Sequence, residues 1–275
     1  MKIHQIRIDF AVTEQVKRYV FVYLIEGKSC YLVDSGVYGS EEQITQYMKT
    51  IGRDISEVKA IFLTHAHPDH IGTAAWFREH TGCKIYASQG ERAWIENIDL
   101  QYQERPIPNF YKLAGNSTVV DVAVQDGDII SLEDNMDIQV ISTPGHSVDE
   151  VSYRLGNSLF LGDAIPVKGD IPIYINARDA FRTLQKIRDL DGICNYYPAW
   201  DHTYSVSNIN EKINDAVQII RTLDEQVCTI LETGRTSDIT AVTNLVCERL
   251  NMPYLKENPL FRKTILSHCL NYGDF

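Results

Sequence analysis

A chain of 275 residues, 44% hydrophobic and 23% charged, can bury a large core and has the composition of a soluble globular protein, one catalytic domain with an appendage. Its formal net charge of −11, with no run of Lys or Arg, argues against nucleic acid as a partner. No apolar stretch approaches the roughly 18 residues of a membrane-spanning helix, and six scattered cysteines without a C-x-x-C pair argue against a cysteine zinc site and a dithiol motif.

The opening, MKIHQIRIDF, alternates polar and apolar residues and lacks the pattern of a secretory signal, so a cytoplasmic protein with reduced, mostly core-packed thiols is expected. Runs rich in Val, Ile, Tyr and Phe predict strands over 2–10, 18–25 and 30–33, with a turn at Gly27 and Lys28. After the break at 36–40, Ile44, Tyr47, Met48 and Ile51 mark one face of a helix over 41–51. A nearly continuous apolar strand over 58–63 then delivers Thr64 and a histidine cluster, and a short helix is expected over 72–80. Residues 84–87 read as a buried strand, and 89–116 as a covering insertion of weak periodicity. Strands resume at 118–124, 129–132, 138–142, 151–155 and 158–161; a helix over 177–190 and a strand over 193–197 follow. From about Asn208 the pattern is helical, broken near Gly234 and Pro253. Strands grouped together with helices outside them imply an α+β protein of two sheets packed face to face, in a domain over 1–207 with a helical extension over 208–275.

The chemistry concentrates in His65-Ala66-His67-Pro68-Asp69-His70, which places three of only eight histidines and a carboxylate within six residues. One helical face cannot aim all four at a single ion. A loop at a strand end can splay them toward two, His65 and His67 to one and Asp69 and His70 to the other. Pro68 would interrupt a helix, which disfavours a helical zinc motif. Further ligands are then needed downstream, and three turns after apolar strands offer them: His146 in Ser-Thr-Pro-Gly-His-Ser, Asp163 in Leu-Gly-Asp-Ala, and His202 after Pro198-Ala199-Trp200-Asp201.

The strings THAHPDHIG, TPGHS and LFLGDA, together with YLVDSG at 31–36, resemble the metallo-β-lactamase fold superfamily over about 20–202. The resemblance implies a four-layer αββα sandwich with a dinuclear metal centre: His65, His67 and His146 on the first ion, Asp69, His70 and the last motif's histidine on the second, Asp163 bridging, and Asp34 supporting the ligand loops without binding metal. A carboxylate at the bridging position resembles hydroxyacylglutathione hydrolases, lactonases and thioesterases, whereas several true β-lactamases carry cysteine there. The last motif departs from the family, with Trp200 and Asp201 beside the histidine. His202 is preferred as ligand because imidazole suits a borderline-soft ion, and Asp201 is the reserve or a supporting group.

Two divalent ions, zinc by default and iron or manganese as alternatives, can share a water and lower its pKa from about 15.7 toward 7. The resulting hydroxide would attack, with Asp69 orienting it and passing a proton to the leaving group. The expected activity is hydrolysis of a carboxylic ester, thioester or lactone of a small molecule. A phosphodiesterase or nuclease is the alternative enzyme, disfavoured by the acidic balance, and a non-catalytic metal-binding regulator is the alternative of another class. The apolar and aromatic segments 94–111 and 171–175 suit an acyl or aromatic group, with Tyr174, Trp200 and Tyr204 as pocket residues. The tail over 208–275 loosely resembles thioesterase extensions and offers a surface for a homodimer.

Overall fold

The computed structural model describes residues 1–234 and 236–271; Arg235 and the last four residues lie outside the description. The chain forms two compact units, each interleaved in sequence. The first comprises Met1–Ser142, Asp149–Gly162 and Tyr197–His202. The second comprises Thr143–Val148, Asp163–Tyr196 and the chain from Thr203 onward. A boundary at 207/208 describes chain order; by packing, 143–148 and 163–196 group with the helical tail.

In the first unit, strands β1 (Lys2–Ala11) and β2 (Lys17–Glu26) form a ten-pair antiparallel ladder, to which β3 (Cys30–Val33) adds antiparallel. Helix α1 (Glu41–Thr50) leads to β4 (Val58–Phe62), which lies parallel to β3 with Val33 opposite Phe62. A one-turn helix α2 (Pro68–Ile71) and α3 (Ala74–Thr81) follow, then β5 (Lys84–Ser88). The insertion folds into three short helices, α4 (Arg92–Glu96), α5 (Ile98–Glu104) and α6 (Phe110–Ala114), before β6 (Val122–Val124). The first sheet runs β1-β2-β3-β4-β5-β6. The second begins with an antiparallel run of β7 (Ile129–Glu133), β8 (Met136–Ser142), β9 (Val151–Leu155) and β10 (Ser158–Gly162).

Strand β2 is buried from Val20 to Ile25, as its continuous apolar run requires, because both faces of the first sheet are covered. On one face Val20, Val22 and Leu24 pack with Ile44 and Met48 of α1; on the other Phe21, Tyr23 and Ile25 meet Ile138, Val140, Tyr153 and Phe160 of the second sheet. This is the sandwich anticipated from the strand grouping. Strand β1 is the sheet's outer edge. There Arg7 pairs with Asp9 at 2.8 Å, and Gln43 of α1 donates its amide to the Arg7 carbonyl.

The second unit is mainly helical. Helix α7 (Ala177–Arg188) is capped by Asn176, whose side chain accepts from the Asp179 N–H. Strand β11 (Asn195–Pro198) divides between the units along the sequence, and its first two residues pair with β12 (Tyr204–Ser205). Helix α8 (Ile209–Glu232) buries Ile209, Ile213, Ala216, Ile220, Leu223, Val227 and Ile230 along one stripe. Helices α9 (Ile239–Arg249) and α10 (Pro259–Leu270) pack on α8, and α10 also reaches α7. Among the described residues no helix is long and apolar enough to cross a membrane. Among the described residues no cysteine forms a disulfide; Cys30, Cys83 and Cys247 are buried as expected of core thiols, while Cys194 is exposed. Burial pushes the Cys30 thiol up to about 11.

Candidate metal centre

Because β3 and β4 are parallel and pair Val33 with Phe62 at their ends, their carboxyl ends emerge side by side, with Asp34 next to the loop that follows Phe62. Asp34 takes a left-handed backbone, φ 59°, and its N–H donates to the Phe62 carbonyl. The buried carboxylate accepts from the Thr64 N–H at 2.8 Å, the Thr64 hydroxyl at 3.0 Å and His70 Nδ1 at 2.9 Å. A single acidic side chain thus fixes both ends of the histidine loop.

Within the loop, His65, His67 and His70 are 0%, 3% and 0% exposed. His65 Nδ1 lies 3.0 Å from the Thr64 hydroxyl and 3.5 Å from Glu150 Oε1, while its Nε2 lies 3.0 Å from His67 Nδ1. The His65 ring centre is 4.5 Å from that of His67 and 4.0 Å from that of His70. His70 Nε2 lies 3.8 Å from Asp69 Oδ2. Three imidazoles gathered this closely out of water cannot all be protonated without strong mutual repulsion, and neutral imidazoles with one nitrogen anchored and the other directed inward are what a transition metal requires. The donors present in this unit therefore fit a divalent ion such as zinc, iron or manganese.

Pro68 does not interrupt a helix here: it occupies the first position of α2, where a missing N–H costs nothing, and the chain turns helical immediately after His67. Asp69 and His70 consequently sit on a helical turn, a correction to the purely irregular loop expected. The loop has two further clamps. The Ala66 N–H donates to Glu91 Oε2 at 3.1 Å and its carbonyl accepts from the Gln101 side-chain amide; Glu91 Oε1 also takes the Asp149 N–H at 3.1 Å. Glu91 precedes α4 and Gln101 lies in α5, so the insertion holds the histidine loop from outside, and Trp94 stands 6.5 Å from His67 ring to ring. Tyr153 donates to the Leu63 carbonyl at 2.8 Å; burial foremost, and the Asp34 charge after it, hold its phenol far above the ordinary range. Gly162, φ 56°, has no room for a side chain, since a Cβ would meet Glu150 Oε1 at 2.6 Å and Thr64 Oγ1 at 2.7 Å.

The second unit carries His146 and Asp163 together: Nε2 of the imidazole lies 3.3 Å from Asp163 Oδ2, and the two side chains are 7% and 6% exposed. His146 Nδ1 donates to the Ile173 carbonyl at 2.7 Å, so in the neutral ring Nε2 is the nitrogen that carries the lone pair.

His202 differs from the other histidines singled out. It is exposed, its backbone N–H donates to Asp201 Oδ1 at 2.7 Å, and its ring joins none of the clustered ligand atoms among the described residues. Trp200 is half-buried, with its carbonyl accepting from the Tyr19 hydroxyl at 2.8 Å. Tyr204 is buried with the Lys212 ammonium 5.5 Å from its ring centre. Tyr174 is 1% exposed and its hydroxyl meets His268 Nε2 at 2.8 Å, so it is a core side chain of the helical unit. Glu91, Gln101 and Glu150 carry no spacing signal that would have singled them out.

The profile of the metallo-β-lactamase superfamily matches residues 16–194. A hydroxyacylglutathione hydrolase of Thiobacillus denitrificans is 25% identical over 233 residues, 79% of this chain and 74% of the relative. A probable metallo-hydrolase of Methanocaldococcus jannaschii is 26% identical over 184 residues, 64% of this chain and 84% of the relative. In fold, a metallo-β-lactamase family protein of Thermus thermophilus is similar at a TM-score of 0.75 and 18% identity, covering 97% of this chain and 91% of that one.

Proposed function

The chain belongs to the metallo-β-lactamase superfamily, and from that premise we propose that it is a metal-dependent hydrolase of carboxylic esters or thioesters, with lactones within the same chemistry. The observation that carries the reading is the buried cluster of His65, His67 and His70, each ring in contact with another and the whole held by Asp34. On this reading His65, His67 and His146 would hold one divalent ion and Asp69, His70 and His202 a second, with Asp163 as a ligand to either and Asp201 as the alternative to His202. Such ions, when bound, supply Lewis acidity and an ionisable water near neutral pH. Zinc is the proposed metal.

The remaining chemistry falls to the chain's own side chains. The Asp69 carboxylate, 14% exposed and 3.8 Å from His70 Nε2, is the group placed to orient a water and carry its proton to the leaving group. Asp34 and the Ile173 carbonyl fix the tautomers of His70 and His146, so that each presents Nε2. A thioester substrate is favoured over a phosphodiester by the net charge of −11 and by the name of the Thiobacillus relative, whose substrate is an acylated thiol.

Elemental analysis of the purified protein, combined with turnover of thioesters, aryl esters, lactones and phosphodiesters, tests the proposal. Metal-dependent cleavage of an acyl substrate is expected; activity on phosphodiesters alone would reject it. His67→Ala is expected to remove bound metal and activity together, and activity persisting without metal would overturn the mechanism.

A further inference from the structure

The second unit contains a buried polar chain that the proposed chemistry does not use. Asp224 of α8 lies 3.1 Å from His268 Nδ1 on α10, and His268 Nε2 lies 2.8 Å from the Tyr174 hydroxyl. A carboxylate only accepts, so Nδ1 carries a proton, and in the neutral ring Nε2 accepts from the Tyr174 hydroxyl. His268 and Tyr174 are 0% and 1% exposed. Polar side chains this deep are costly unless hydrogen-bonded, and a satisfied network of this kind rigidifies what it is attached to.

What they fix is the segment from Pro172 to Asn176. The Thr264 hydroxyl on α10 accepts from the Tyr174 N–H at 3.2 Å and lies 3.0 Å from the Pro172 carbonyl, so the residues on both sides of Ile173 are anchored to one side chain. Beyond them, the N–H groups of Ile175 and Asn176 donate to the Gly145 carbonyl at 2.8 and 3.2 Å. Gly145, φ 135°, is itself pressed against α7, where a Cβ would stand 2.4 Å from the Ala180 nitrogen. Between these anchors the Ile173 carbonyl has one direction left, and it meets His146 Nδ1 at 2.7 Å.

We infer that Tyr174, His268 and Asp224, together with Thr264, are positioning residues that aim the Ile173 carbonyl at His146 and thereby set the orientation of that imidazole as a ligand. The inference rests on the reading of His146 as a metal ligand. It gives the helical tail a task beyond covering: two of its helices set one ring at a distance, through the backbone. Loss of a hydrogen-bonding partner behind a ligand histidine typically weakens metal binding about tenfold or more.

The test is Co²⁺ binding to the full-length protein, read by competition with a chromophoric chelator and by the visible spectrum of bound cobalt, for the parent, Y174F, H268A and H146A. Y174F keeps the ring in its place and deletes only the hydroxyl, so it reports even where H268A does not fold. Y174F is expected to fold cooperatively, to bind Co²⁺ about tenfold more weakly and to show an altered cobalt spectrum. Parent-like affinity and spectrum in Y174F, with both altered in H146A, would overturn this inference and leave the ligand assignment standing. An unaltered H146A would overturn both.

Discussion

The two sets of ligand candidates are held in place by different means. In the first unit His70 is oriented by a carboxylate, Asp34, that also grips Thr64, and the loop between them is clamped at Ala66 by Glu91 and Gln101. In the second unit His146 is oriented by a backbone carbonyl, whose own place depends on helices remote in sequence. A carboxylate buried among its donors couples ligand geometry to folding stability, because removing it strands several polar groups at once. A carbonyl suspended from its neighbours couples ligand geometry to the packing of a tail, with little stability at stake.

Substitutions sharpen that contrast. Asp34→Ala should have the largest effect, about 3–5 kcal/mol of unfolding free energy in urea titration of the metal-free protein, since two Thr64 donors and His70 Nδ1 lose their acceptor inside the core. A loss under about 1 kcal/mol would abolish the distinction between the two sets. Glu91→Ala should follow, at about 2 kcal/mol, with the Ala66 and Asp149 N–H groups left unanswered. His146→Ala should cost about 1 kcal/mol or less while lowering metal affinity sharply, the reverse of what a stability anchor would do.

The smallest effect tests whether the carboxylate rule extends beyond the site. Arg78 beside Asp121 holds its carboxyl below the usual range, aided by the Ile85 N–H. The stabilisation is therefore present above the unfolded carboxyl's pKa and disappears as pH falls through the lower folded value. Because the pair is partly exposed, Asp121→Asn should remove only about 1 kcal/mol at neutral pH, and the difference from the parent should vanish in acid.

The contrast also explains what can be read in advance. The histidine loop and the turns before His146 and Asp163 are legible because each lies beside an apolar strand whose end aims it, whereas Asp34 stands out only through the resemblance of YLVDSG. Glu91, Gln101 and Glu150 are not, since an acid or amide within a weakly periodic stretch looks the same whether it faces solvent or a backbone N–H. The insertion is legible as a cover but not as three helices, because helices of five to seven residues have too few turns to show a stripe. Tyr174 stands out by its neighbourhood to a ligand turn, yet its hydroxyl points to a histidine 94 residues away, which no local pattern registers. Pro68 reads as a breaker, although the first position of a helix is where proline is best tolerated.

Strand β1 has a consequence for the molecule in solution. Ten residues long and outermost in its sheet, it presents a backbone edge onto which an extended segment of another molecule could zip. The Arg7–Asp9 pair and the Gln43 amide on the Arg7 carbonyl sit midway along that edge. An incoming strand would have to strip water from two charges and displace a bond already made, so these residues raise the cost of edge-to-edge pairing there.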